Sequence, residues 1–236
     1  MTFTTVLFDL DGTLLPMDQE VFAKTYMKTL AASLAPRGYE PQSVVETIWN
    51  GMKAMVRNDG TRTNEAVFWE VFAAVFGARA LDDRPAFDEF YRTTFQTISS
   101  VCGHDPRAAA IVHGLKAKGI RVALATNPLF PAIATESRIR WAGLEPSDFE
   151  LYTTYENSGF CKPNPDYYKN ILDRIGCTAE ECLMVGNDVA EDMVARTLGM
   201  GVFLLTDCLI NKNNSDISGY PQGDFDTLKS YLQEHC

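Results

Sequence analysis

Two carboxylates stand two residues apart in the run Phe8-Asp9-Leu10-Asp11-Gly12-Thr13-Leu14-Leu15, directly after the apolar segment Thr4-Thr5-Val6-Leu7. The stretch from Thr5 to Leu10 is rich in Val, Leu and Phe and is stopped by glycine. It reads as a central strand buried on both faces, with the acids at its C-terminal end. Side chains alternate along a strand, so Asp9 and Asp11 are expected on one side and Leu10 on the other. Two neighbouring anions repel unless a cation lies between them, and paired oxygens on a rigid strand end suit a hard ion such as magnesium. Asp-Gly is also a common turn pair, so these two acids by themselves decide nothing.

Three further segments place polar groups where strands should end. Arg121-Val122-Ala123-Leu124-Ala125-Thr126-Asn127 closes with a hydroxyl and an amide. In Gly159-Phe160-Cys161-Lys162-Pro163-Asn164-Pro165, Lys162 precedes two prolines that stiffen the loop around its ammonium. Val185-Gly186-Asn187-Asp188 adds an amide and an acid, and Asp192 follows one helical turn later. Each has an ordinary explanation: turn chemistry for Thr-Asn, solvation for the lysine, helix-dipole complementarity for the acids. Together those explanations fail, because four separate strand ends would have to place groups suited to phosphate chemistry by chance.

The elements that position these groups follow from periodicity. Residues 18 to 97 carry helical patterns, with helices expected over 20–35, 41–56 and 84–99. Val67, Phe68, Val71, Phe72, Val75 and Phe76 form one helix face, with Asn64 as its cap. From Asp105 onward strands and helices alternate. Asp105-Pro106 opens a helix that ends at Gly119. The strand Arg121 to Asn127, a helix over 131–142, the strand Leu151 to Glu156, a helix over 165–175, the strand Cys182 to Asn187, a helix over 190–198 and the strand Gly201 to Asp207 follow. That order predicts a Rossmann-like, doubly wound parallel sheet with helices on both faces, and a site at the carboxyl ends of its strands. The first strand belongs to this α/β unit, and a helical module interrupts it. The polar segment from Asn211 to Asp224 reads as a mobile loop.

Composition narrows the function. Acidic residues outnumber basic ones 31 to 21, for a formal net charge of −10 and no basic run, which speaks against a nucleic-acid partner. No stretch nears the roughly 20 apolar residues of a membrane helix, and the start of the chain lacks a leader pattern. A cytoplasmic protein, monomer or homodimer, is expected. The six cysteines form no CxxC pair and no zinc-spaced cluster with histidine, so reduced thiols are expected.

These motifs, in this order, resemble those of the haloacid dehalogenase superfamily of aspartate-dependent phosphohydrolases. Asp9 to Leu14 is similar to its first motif, Ala125-Thr126-Asn127 to the second, Cys161 to Tyr168 to the third and Gly186-Asn187-Asp188 with Asp192 to the acidic fourth. The resemblance implies an α/β core over 1–15 and 100–236 and an all-helical C1 cap domain over 16–99. It implies Asp9 as nucleophile and Asp11 as general acid and base. Thr126, the backbone near Leu10 and Asn127, and Lys162 would hold the phosphoryl group. Magnesium would be bound by Asp9, the Asp11 carbonyl and Asp188. Thr13 would orient Asp11, and Asp192 would orient a metal-bound water or pair with Lys162. The family's dehalogenases lack the second aspartate, so Asp11 argues for phosphoryl transfer. One departure stands out: the usual fourth motif has Gly-Asp where this chain has Gly-Asn-Asp, which leaves Asn187 and Asp188 as alternatives for the metal.

The expected activity is hydrolysis of a small phosphorylated metabolite through an aspartyl phosphate. A phosphomutase of the same fold is an alternative, and a receiver-like signalling phosphoprotein is a more distant one. For the leaving group, Arg57, Asn58 and Arg62 on one side and Phe22 or Tyr26 on the other are expected contacts. Cys161, beside Lys162, is a candidate for oxidation.

Overall fold

Thr5, Val6, Leu7 and Phe8 form strand β1 (Thr5–Phe8), all of it buried, at the centre of a parallel sheet. The computed structural model describes residues 2–236. The sheet also contains β2 (Arg121–Leu124), β3 (Cys182–Gly186), β4 (Gly201–Leu205) and the short β5 (Gln222–Gly223), in the order β2-β1-β3-β4-β5. Val6 is in register with Val122 on one side and Leu183 on the other. Successive residues of β1 bury into opposite layers. Val6 and Phe8 join a cluster with Ile111 and Val112 of α5 (Pro106–Ala117) and Phe225 and Leu228 of α8 (Phe225–His235). Leu7 joins Tyr167, Tyr168 and Ile171 of α7 (Pro165–Ile175) in the other layer. Each such burial stabilises by roughly 1.5–3 kcal/mol, which fixes the strand that carries Asp9. The fold is α/β with helices on both faces of the sheet, as the alternation predicts.

Between β1 and β2 the structure holds helices only. They are α1 (Gln19–Leu34), α2 (Pro41–Val56), α3 (Asn64–Phe76) and α4 (Arg84–Arg92), joined by short 3-10 turns and followed by a 3-10 segment, Thr94–Val101, and then by α5, which leads into β2. Asp18 starts α1 by accepting from the N–H groups of Glu20 and Val21. Glu40 does the same for α2, which has Pro41 at its first position. The two chain segments linking this helical block to the sheet run side by side: Met17 forms an antiparallel bridge with Cys102, and the Gly103 N–H donates to the Pro16 carbonyl at 2.6 Å.

Several elements differ from expectation. The helix expected over 84–99 breaks at Thr93, whose hydroxyl donates to the Glu89 carbonyl at 2.6 Å, and continues as the 3-10 segment. Thr63 caps α3, accepting from Ala66, while Asn64 is its first residue and is buried. Leu151 to Glu156 is no regular strand. Only Tyr152 bridges to Leu124, and the ladder stops there because the Tyr155 N–H, next in line, donates to the Phe130 carbonyl. The helix expected over 190–198 shortens to a 3-10 turn, Met193–Leu198. Carboxylates take the N–H groups at its start: Asp188 accepts from Ala190 and Glu191, and Asp192 from Asp188. The polar segment after Asn211 contributes β5. Among the described residues, no helix is long and apolar enough to cross a membrane.

Candidate active site

After Phe8 the backbone leaves strand geometry. The Leu10 carbonyl accepts from both Thr13 and Leu15, and Gly12 adopts φ +87°, a conformation that favours glycine. A side chain at Gly12 would also meet the Asn187 amide, 2.3 Å from an added Cβ. This turn sets Asp9 and Asp11 in the wall of a cleft of about 1230 Å³ between the sheet's carboxyl end and helices α1 and α2. Both line the cleft, but their carboxylates take separate partners, because strand alternation stops before Asp11.

Lys162 lies between two acids. Its ammonium donates to Asp9 Oδ1 at 2.8 Å and to Asp192 Oδ1 at 2.6 Å, with 1% of its side chain exposed. Burial works against the charged lysine, yet Asp192 and Asp9 outweigh it and hold the ammonium's pKa well above its usual value. Burial also pushes the Asp192 carboxyl up to about 6, against the pull of Lys162. The two shifts oppose each other in sense, since one favours the charged pair and the other disfavours it. Two carboxylate oxygens within 2.8 Å of one ammonium decide for the charged lysine. Asp192 thus pairs with Lys162, one of its two expected roles.

Thr13 does not orient Asp11. Its hydroxyl sits 3.1 Å from both Asp9 Oδ2 and Asn187 Oδ1. The orientation of the Asn187 amide is set by its nitrogen, which donates to the Cys208 carbonyl at 2.6 Å. One hydroxyl proton therefore faces two acceptors, a surplus of oxygen that a hard cation would relieve. Asp188 also lines the cleft, but its Oδ1 is engaged by the turn that follows. Among the described residues, no three His, Cys, Asp or Glu side chains group as a ready metal site. A cation here has to draw on carbonyl and amide oxygens as well as carboxylate.

Asp11 faces an arginine that the sequence did not flag. Arg138, 1% exposed on α6 (Ala132–Trp141), donates through Nη1 to Asp11 Oδ2 and leaves Asp11 Oδ1 without a partner. Burial raises the Asp11 carboxyl above the usual range, Arg138 pulls it down and Asp9 raises it further, and the net shift is upward. Glu191 was also missed. It lines the cleft and accepts from Asn127 Nδ2 at 3.0 Å, and burial pushes its carboxyl up to about 7. Neither residue falls in a recognisable spacing: Arg138 lies within a helix pattern and Glu191 in a run of acids.

The remaining expected residues divide. Thr126 and Asn127 line the cleft, and the Thr126 carbonyl is fixed by Thr153 at 2.6 Å and Tyr167 at 2.8 Å. Leu10 is buried, so only its backbone is of use here. Phe22 and Tyr26 line the cleft. Arg57 and Arg62 do not: Arg62 pairs with Glu70 on the surface, and the loop that carries both packs beside α3. Asn58 is likewise committed, donating to the Arg62 carbonyl and to Asn64. Asn64 in turn hooks this loop to the sheet domain through the Pro128 carbonyl and Cys161 Sγ, each at 3.2 Å. Burial pushes the Cys161 thiol up to about 12, which argues against the expected sensitivity to oxidants.

A model of the haloacid dehalogenase-like hydrolases matches residues 3–196. The chain belongs to that family. Sequence relatives of this haloacid dehalogenase-like hydrolase include proteins named as phosphatases. It is 25% identical to a glyceraldehyde 3-phosphate phosphatase from Methanothermobacter thermautotrophicus, over 90% of this chain and 93% of that one. It is 27% identical to a phosphoglycolate phosphatase from Xylella fastidiosa, over 83% and 77%. A 2-haloacid dehalogenase from Pseudomonas syringae pv. Tomato superposes with a TM-score of 0.67, at 21% identity over 100% of both chains. That last likeness shows the fold of this family alone.

Proposed function

We propose that the protein is a magnesium-dependent phosphohydrolase acting on a small phosphorylated metabolite through an aspartyl phosphate. The observation that carries this reading is Asp9, at the end of a buried strand in the cleft wall, with the Lys162 ammonium 2.8 Å away. Asp9 attacks phosphorus as the bond to the leaving oxygen breaks, and Asp11 gives that oxygen its proton. Asp11 then takes a proton from water, whose oxygen attacks the aspartyl phosphate and frees phosphate and the Asp9 carboxylate. Lys162, Thr126 and the backbone amides at Leu10 and Asn127 hold the phosphoryl oxygens.

Asp9, the Asp11 carbonyl and the Asn187 amide oxygen would hold the magnesium, since Thr13 links Asn187 to Asp9 whereas Asp188 Oδ1 is tied to its turn. When bound, the ion would offset the repulsion between Asp9 and a phosphate dianion. Residues 16–99 act as the cap over the cleft, with Phe22, Tyr26 and Trp49 above the leaving group and Lys24 and Lys28 drawing in anions. The named activities of the two phosphatase relatives, on short phosphorylated carbon chains, agree with a small substrate.

The test is phosphate release from a panel of small phosphate monoesters with and without magnesium, with Asp9→Asn as the blank. Activity is expected only with the metal and with Asp9. Turnover retained in Asp9→Asn would sink the reading.

A further inference from the structure

Arg138 is buried to 1% exposure with a single carboxylate, Asp11, within ion-pair distance among the described residues. The guanidinium is itself fixed. Its Nε donates to the Ala134 carbonyl at 3.3 Å, Nη2 reaches the Thr135 hydroxyl at 3.4 Å, and its plane lies over the Phe130 ring, 4.4 Å from the centroid. Phe130 is in turn held by Tyr26 and Phe22 of α1, at centroid distances of 5.1 and 6.2 Å. Arg138 is thus anchored to its own helix on one side and to an aromatic cluster on the other. It is not part of the cleft lining, whereas Asp11 is.

Burying a guanidinium is costly, and an apolar side chain of similar volume would serve packing equally well or better. An arginine at such a position is therefore best explained by what it does to its partner. A carboxylate free to turn about its side-chain bonds samples several orientations. One tied through Oδ2 to a fixed fork is held in one. Proton transfer to a leaving oxygen depends on that orientation, since a misplacement of about 1 Å can cost on the order of 10²-fold in rate.

We propose that Arg138 is a positioning residue, holding Asp11 in the orientation from which it serves the leaving oxygen while touching no substrate itself. The inference rests on the assignment of Asp11 as acid and base given above. It assigns a task to α6, the helix after the second motif, that none of the four motifs carries.

The experiment compares leaving groups by rapid-quench measurement of phosphoenzyme formation. An alkyl phosphate expels an alkoxide unless it is protonated, while a dinitrophenyl phosphate expels a stable anion without help. In Arg138→Met, formation from the alkyl phosphate is expected to fall on the order of 10²-fold, the low end for a general acid. Formation from the dinitrophenyl phosphate should stay within about threefold, because that departure needs no general acid. Arg138→Lys restores the charge without the fork and should lie between Arg138→Met and the parent protein. It also supplies the comparison if Arg138→Met does not fold. Equal slowing with both substrates means that Arg138 only packs, and overturns the proposal; so does an unchanged alkyl rate. If the parent protein forms no phosphoenzyme from either substrate, the assignment of Asp9 and Asp11 falls, and this proposal with it.

Discussion

Lys162 owes its charge to two carboxylates, and it pulls one of them, Asp192, toward the charged form in return. With Asp192 fully buried and Asp9 nearly so, removing the ammonium leaves two anions without compensation in a poorly solvated place. Lys162→Met is expected to abolish turnover and to lower unfolding free energy by about 3–5 kcal/mol, read by urea denaturation. Adding Asp192→Asn to that variant should recover part of the stability but none of the activity, because it removes one stranded charge and restores no phosphate contact. No stability change in Lys162→Met would show that the triad is not charged as described.

At the scale of elements, two contacts show how local chemistry fixes the frame. Asp148, in the 3-10 turn Pro146–Asp148, accepts from Lys116 Nζ at 2.7 Å, the Glu145 N–H at 2.9 Å and His113 Nε2 at 3.2 Å, tying that turn to α5. Burial pushes its carboxyl up, but Lys116, the Glu145 N–H and His113 outweigh it and hold it down at about 2. A carboxyl depressed by folding contributes stability that is complete above its unfolded value near 4 and fades as pH falls through about 2. Asp148→Asn should therefore lower the melting temperature at pH 7 and converge with the parent protein near pH 2. A gap independent of pH would contradict this. Gly60 sits at φ +85° in the loop before α3, where an added Cβ would come within 2.1 Å of Phe160 Cζ. Gly60→Ala should cost about 1–2 kcal/mol from the backbone alone, measured by thermal unfolding. It should also loosen the contact between this loop and the segment that carries Lys162.

At the scale of the whole molecule, the cleft joins a helical block to the carboxyl ends of a parallel sheet, and its wall concentrates acids within a chain of net charge −10. A cation bound there stabilises the folded state alone. Magnesium at about 100 times its dissociation constant should add about 2.7 kcal/mol of stability, read as a rise in melting temperature that EDTA reverses. Asn187→Ala should weaken that rise more than Asp188→Ala does. The opposite order would return the metal to Asp188.

The α/β alternation, the position of β1, the bounds of α2 and α7 and the polar groups that follow β1, β2 and β3 were legible in the sequence. Each rests on short-range rules: periodicity, capping and the hydrophobic run of a buried strand. That Asp9, Thr126, Lys162 and Asp192 belong together was legible only through their order and their resemblance to a family. Tertiary structure decided what depends on neighbours distant in sequence. It gave Asp11 to Arg138, 127 residues away, and joined Thr13 to Asn187, 174 residues away. It also removed Arg57 and Arg62 from the cleft. A side chain's partner is set by where elements pack, and periodicity carries no information about which of several solvated or buried arginines meets a given acid.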